Sequence, residues 1–100
     1  MGKSIPVTVN GQQFHAKSSL TEYVRGLIGR YPVGFSVEGE DRDFCLELFR
    51  FHPDAASKLA SGIQRLEVRL DEYGHKHFQL LRCDGSEDDI SWVHCVRHAR

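Results

Sequence analysis

Arg65-Leu66-Glu67-Val68-Arg69-Leu70 is the stretch whose period decides the fold. Leucine and valine alternate with arginine and glutamate, and a period of two is the mark of a strand with one buried and one charged face. Downstream, Asp71 and Gly74 bound a turn that leads into His77-Phe78-Gln79-Leu80-Leu81-Arg82-Cys83. Asp84-Gly85 then turns the chain into a last strand expected around Ile90 and Trp92. The second half therefore reads as a three-stranded antiparallel meander.

Upstream the period is helical. Pro53 suits the first turn of a short helix with Ala56 and Leu59 inward and Gly62 just past its end. Before it, Asp41 is placed to cap a helix carrying Phe44, Cys45, Leu48 and Phe49 on one face, closed by His52-Pro53. Residues 33–40 read as an irregular connector. A longer helix carries Leu20, Tyr23, Val24, Leu27, Ile28 and Tyr31, with Ser19 and Glu22 as a capping box and Pro32 as its stop. Asn10-Gly11 between Val7-Thr8-Val9 and Phe14 is a hairpin signal, because both turn residues tolerate positive φ. The expectation is one α+β domain over residues 1–100: an N-terminal hairpin, two to three helices, then a three-stranded antiparallel meander forming one sheet covered by helices. Its core is expected to hold Leu20, Val24, Leu27, Ile28, Phe44, Leu48, Leu59, Leu66, Val68, Phe78, Leu80, Ile90 and Trp92.

Composition narrows the function. Apolar residues make up 40% and charged residues 27% of the 100 positions, which suits a folded soluble domain. A formal net charge of -1 announces neither a nucleic-acid nor a membrane partner, so any polyanion must meet a local patch. Residues 1–9 contain one lysine and no apolar run, and no stretch approaches the length of a membrane span. Three scattered cysteines argue for a reducing compartment, and the cytoplasm is the expected location.

Phe51-His52-Pro53-Asp54-Ala55-Ala56-Ser57-Lys58, Gly62-Ile63, Leu81-Arg82-Cys83-Asp84-Gly85-Ser86, Asp89-Ile90-Ser91-Trp92 and Cys95 resemble, in that order, the DCL family (defective chloroplasts and leaves), in a bacterial-type form. Val9-Asn10-Gly11 with Phe14 and the helix end at Arg30-Tyr31 extend the resemblance over nearly the whole chain. It implies a link to RNA, since plant members are tied to chloroplast ribosomal RNA maturation and a related domain ends the largest subunits of plant-specific RNA polymerases.

Three kinds of chemistry compete for the polar residues. His94, Cys95 and His98, with Cys83, His75 and His77, are zinc-ligand types, but they lack a Cys-x-x-Cys knuckle, and a strand would send His94 and Cys95 to opposite faces. Asp84, Glu87, Asp88 and Asp89 are hard oxygen ligands of the kind that hold divalent cations, but turn chemistry accounts for them more simply. His52 suits either a general base or a helix-boundary cap. No catalytic residue, metal or other cofactor is expected from these patterns.

A basic surface is the stronger candidate. Lys3, Lys17, Arg25 and Arg30 face only Glu22 in the first thirty residues. Arg65 and Arg69 must project from one strand face about 13 Å apart, a span that suits two phosphates. Lys58 on the preceding helix and Arg82 on the next strand are expected to join them. The expected function is a non-enzymatic nucleic-acid-associated accessory domain, RNA preferred, with Lys58, Arg65, Arg69 and Arg82 as contacts and RNA or RNA-associated proteins as partners. The alternative is a protein-interaction module that docks a polymerase or ribosome-associated partner through a sheet edge or the connector at Phe35 and Val37.

Overall fold

The structure, a computed structural model, describes residues 6–100. Strands β1 (Val7–Val9) and β2 (Gln12–Phe14) form the N-terminal hairpin, in register Val7 to Phe14. Its turn uses Asn10 at φ 50° and Gly11 at φ 79°, the left-handed pair that the Asn-Gly dipeptide foretells. Helices α1 (Lys17–Arg30), α2 (Gly39–Phe49) and the short α3 (Ala55–Lys58) follow. Strands β3 (Ile63–Leu70), β4 (Lys76–Arg82) and β5 (Glu87–Ile90) then form an antiparallel sheet in the order β3-β4-β5.

One face of that sheet is apolar. Leu66 and Val68 of β3, Phe78 and Leu80 of β4 and Ile90 of β5 are all buried there. Phe49 of α2 meets Phe78 edge-on at 5.4 Å between ring centres, and α1 packs on β4. The hairpin closes the far side of the helices, where Phe14, Tyr23 and Phe44 form an aromatic triangle with centroids 4.8 to 6.0 Å apart. Burial of this apolar area, rather than helix propensity, holds α1 in place despite Gly26 and Gly29 inside it.

Local readings shift where tertiary contacts overrule them. The capping box is not used: α1 begins earlier, at Lys17, with Ala16 at the N-cap and Ser19 lying 3.2 Å from the His15 ring. Asp41 lies inside α2 rather than at its cap, where its carboxylate accepts from the Tyr31 hydroxyl at 2.8 Å and pairs with Arg30 at 3.4 Å. The connector is paired. Gly34 N–H donates to Val68 O and Val37 N–H to Leu66 O, both at 2.7 Å, while Val68 N–H donates to Phe35 O at 3.1 Å. Residues 34–37 thus cover the open edge of β3, which would otherwise expose unpaired backbone groups.

The largest departure is at the C-terminus. Trp92 is not in a strand; it opens a fourth helix, α4 (Trp92–His98), capped by Ser91, whose hydroxyl accepts from His94 N–H at 3.3 Å. Trp92, Cys95, Val96 and Ala99 stand at helical spacing, a pattern hidden by the β-prone Ile90 and Trp92 around it. Trp92 and Leu59 accordingly lie half-buried against the core, while the other expected core residues are buried in it.

Candidate nucleic-acid interface

Arg65 and Arg69 do share a face of β3, the one opposite the core. Glu67 stands between them, 2.6 Å from Arg65 and 2.7 Å from Arg69, and its side chain is only 8% exposed beneath the two guanidinium groups. Arg69 also pairs with Glu87 at 3.3 Å. Two arginines against two glutamates leave this cluster neutral.

Lys58 and Arg82 lie on the other face, because β4 alternates Leu80 inward, Leu81 outward and Arg82 inward. Lys58 Nζ pairs with Asp88 at 3.1 Å and donates to the Asp89 carbonyl at 2.8 Å. Arg82 donates to Ser86 Oγ at 2.7 Å and to the Lys58 carbonyl at 2.9 Å, and lies 3.6 Å from Asp88. Their side chains are 17% and 15% exposed, so they brace α3 against β4 and β5 more than they face solvent. The four cations form two clusters on opposite faces, each opposed by acids.

The acidic turn is likewise occupied by its own backbone. Asp84 accepts from the Ser86 hydroxyl and amide at 2.5 and 2.9 Å and from Ser61 at 3.2 Å, and these bonds hold its carboxyl below the usual range. Ser61 and Gly62, at φ 69° and 78°, turn the chain from α3 into β3 beside it. Among the described residues no cluster of three or more His, Cys, Asp or Glu side chains is arranged to hold a metal ion. Cys45 and Cys95 are buried, and burial pushes both thiols up, Cys95 to about 12.

Charge without an acidic counterpart collects elsewhere. Residues 91–100 contain Arg97, Arg100, His94 and His98 and no acid. Helix α4 packs against α1, and Lys17 at the start of α1 donates to the Arg97 carbonyl. Lys17 is thereby brought to the end of α4, and Lys17, Arg97 and Arg100 are all exposed. Reading a last strand around Ile90 and Trp92 hid this grouping, although the acid-free segment 91–100 was its signal.

His52 adjoins the same region. Its ring stacks on that of His94 with centroids 5.9 Å apart, and its Nδ1 accepts from Asp54 N–H at 2.9 Å, the capping role among its two readings. Burial, then Lys58, with smaller contributions from His94 and His98, lowers its pKa from 6.5, while Asp54 opposes them. The folded state therefore favours the neutral ring, and the unfolded chain binds the extra proton. Stability is expected to fall as pH drops from 7.5 through 6.5 to 5.5. His52→Asn, whose Oδ1 can accept from Asp54 N–H, should flatten that slope in urea melts, and an equal slope in both proteins would remove His52 as the cause.

A cleft of about 300 Å³ opens where β4 begins and β5 runs into α4, lined by Asp71, Lys76, His77, Asp89, Ser91 and Trp92.

Residues 25–96 match the family described as a protein of unknown function, DUF3223. The chain belongs to the DUF3223 family. The DUF3223 segment includes the three-stranded sheet, His52, Lys58, Arg65, Arg69 and Arg82, whereas Lys17, Arg97, His98 and Arg100 flank it. The solution NMR structure of an uncharacterized protein from Rhodospirillum rubrum is similar, with a TM-score of 0.85 and 36% sequence identity over 95% of this chain and 91% of that one. The hairpin, helices and three-stranded sheet are therefore shared with an experimentally determined fold. No curated protein matches the chain. No helix of the described residues is long and apolar enough to cross a membrane.

Proposed function

We propose that this DUF3223 chain is a non-enzymatic, RNA-associated accessory domain of the cytoplasm, related to the DCL family, that meets the RNA backbone with the ends of α1 and α4. The carrying observation is the acid-free segment Ser91 to Arg100, docked so that Lys17 reaches the Arg97 carbonyl while the Lys17, Arg97 and Arg100 side chains stay exposed. Phosphate contacts need exposed cations that are not already paired, and these meet that condition better than Lys58 and Arg82. The preference for RNA rests on the DCL resemblance. A non-enzymatic role fits the engaged state of His52 and Asp84: His52 Nδ1 accepts from Asp54 N–H, Asp84 accepts from Ser86, and two of the three thiols, Cys45 and Cys95, are buried while Cys83 is exposed.

Fluorescence anisotropy with labelled single-stranded and hairpin RNA between 50 and 200 mM salt tests the reading. The parent should bind with a salt-dependent affinity. Lys17→Glu, Arg97→Glu and Arg100→Glu together should reduce the slope of log K against log salt by about 2, since each lost contact with a single strand removes about 0.7. Arg65→Glu with Arg69→Glu is the contrasting pair. If that pair abolishes binding and the triple variant does not, the interface is the outer sheet face. A parent that shows no binding at low salt promotes the protein-docking alternative, for which Phe35, 59% exposed on the segment beside β3, is the available contact while Val37 is buried.

A further inference from the structure

His52 is the joint between α2 and α3, and its ring is placed so that it cannot take up a proton without moving. Its amide donates to the Phe49 carbonyl at 3.0 Å, and its own carbonyl accepts from Ala55 N–H, the first amide of α3, at 3.0 Å. The ring Nδ1 accepts from Asp54 N–H at 2.9 Å, so the neutral ring carries its proton on Nε2. A second proton can go only to Nδ1. Imidazolium has two N–H donors and no acceptor, so a charged ring leaves the Asp54 amide without its acceptor in either ring orientation. The ring must then turn away, and on one side the His94 ring of α4 lies stacked against it, centroids 5.9 Å apart and planes 30° apart.

The surrounding charges also oppose a second proton. Lys58 of α3 and His94 and His98 of α4 face the ring, and Asp54 alone counters them. Asp88 and Asp89, which could offset those cations, are already paired with Lys58. Burial, then Lys58, accordingly keep the folded ring neutral, and a state that frees the ring gains proton affinity. Helix α4 is the element that can yield. It has seven residues, too few to persist as a helix by itself, and its segment rests on the core through Trp92, Cys95, Val96 and Ala99. Apart from the Arg97 carbonyl, which accepts from Lys17, its backbone bonds among the described residues lie within 91–100. It can therefore leave without breaking a strand pair.

We propose that proton uptake at His52 releases α4 from the α2–α3 corner while the sheet and the other helices stay folded. The release is independent of whether Arg97 and Arg100 meet RNA. Cys95 reports on it, because its thiol is fully buried where α4 meets the core, and so does Trp92, the one tryptophan of the chain. The probe is 4,4′-dithiodipyridine, which labels thiols in mild acid, applied without denaturant to Cys83→Ser protein so that the exposed thiol adds no background. Peptide masses identify the labelled cysteine. Relative to free cysteine in the same buffer, the Cys95 rate should rise about tenfold from pH 7.5 to 5.5, the factor by which a histidine of ordinary pKa favours the open form. Far-UV circular dichroism should keep most of its signal over that range while Trp92 emission shifts to the red. His52→Asn, which keeps an acceptor for Asp54 N–H but does not titrate, should hold the rate flat. His94→Gln should retain most of the rise, since the proton still enters at His52. A flat rate with His52 present, thiol exposure that coincides with loss of the whole far-UV signal, or a rise that survives in His52→Asn would overturn the proposal. The first two outcomes need no change at His52, so they decide the matter even if His52→Asn fails to fold. A rise lost only in His94→Gln would overturn it too and assign the proton to His94.

Discussion

Replacing Phe78 with alanine is expected to bring the protein close to unfolding. Phe78 sits on the central strand, fully buried, opposite Val68 on β3 and Ile90 on β5 and edge-on to Phe49 of α2. Truncating a buried phenylalanine costs about 3 to 5 kcal/mol, partly as transfer and partly as the cavity left behind. A domain of this size has about 5 to 15 kcal/mol in total, so the loss should lower the melting temperature by roughly 15 to 30 °C. Urea melts followed by far-UV circular dichroism check this. Trp92→Ala should cost distinctly less, because that side chain is only half-buried. A Phe78→Ala loss under about 1 kcal/mol would mean that sheet and helices do not share one core.

Arg82→Ala is expected to act on stability before it acts on any ligand. The guanidinium holds Ser86, the Lys58 carbonyl and Asp88 together, joining α3 to β4 and to the turn before β5. Removing it leaves Ser86 Oγ and the Lys58 carbonyl without that donor, while Asp88 keeps Lys58 Nζ at 3.1 Å. Hydrogen bonds to charged groups contribute about 1.5 to 3 kcal/mol each, and Asp88, 34% exposed, recovers part of its loss from water. The expected cost is therefore about 2 to 3 kcal/mol in urea melts, against under about 1 kcal/mol for Arg65→Ala, whose side chain is 55% exposed. Arg82→Lys should restore little, since one ammonium cannot match three separated acceptors. Unchanged stability with lost RNA binding would make Arg82 a ligand contact instead.

Much of the fold was legible because it is written in local periodicity. Asn10-Gly11 specifies a hairpin through the φ values only such residues adopt readily, and Pro32 marks where α1 must stop. Alternation along Arg65 to Leu70 places Leu66 and Val68 inward, and the structure buries both. Helix starts were less legible. Ser19-Glu22 is a sound capping box by local chemistry, but docking Lys17 on α4 carries the helix past it. At Trp92 the local preferences conflicted: an aromatic beside Ile90 favours a strand, whereas Ser91 and the spacing of Cys95, Val96 and Ala99 favour a helix, and packing against α1 and α2 accompanies the second.

The candidate sites lay almost wholly beyond that local reading. Alternation alone put Arg65 and Arg69 on one face, because strand geometry is set within a few residues. Whether a cation is free depends on which acids the fold brings beside it. Glu87 and Asp88 reach Arg69, Arg82 and Lys58 only through the pairing of β5 with β4 and the docking of α3. The same holds for Lys17 beside Arg97, separated by 80 positions in the chain and joined only in space. The sequence by itself determined the α+β class, the hairpin, the strand faces and most of the core, because backbone sterics and hydrophobic periodicity act over a few residues. The tertiary structure alone decided which charges are cancelled and which are left exposed, because ion pairing falls off within several ångströms and its partners come from distant parts of the chain.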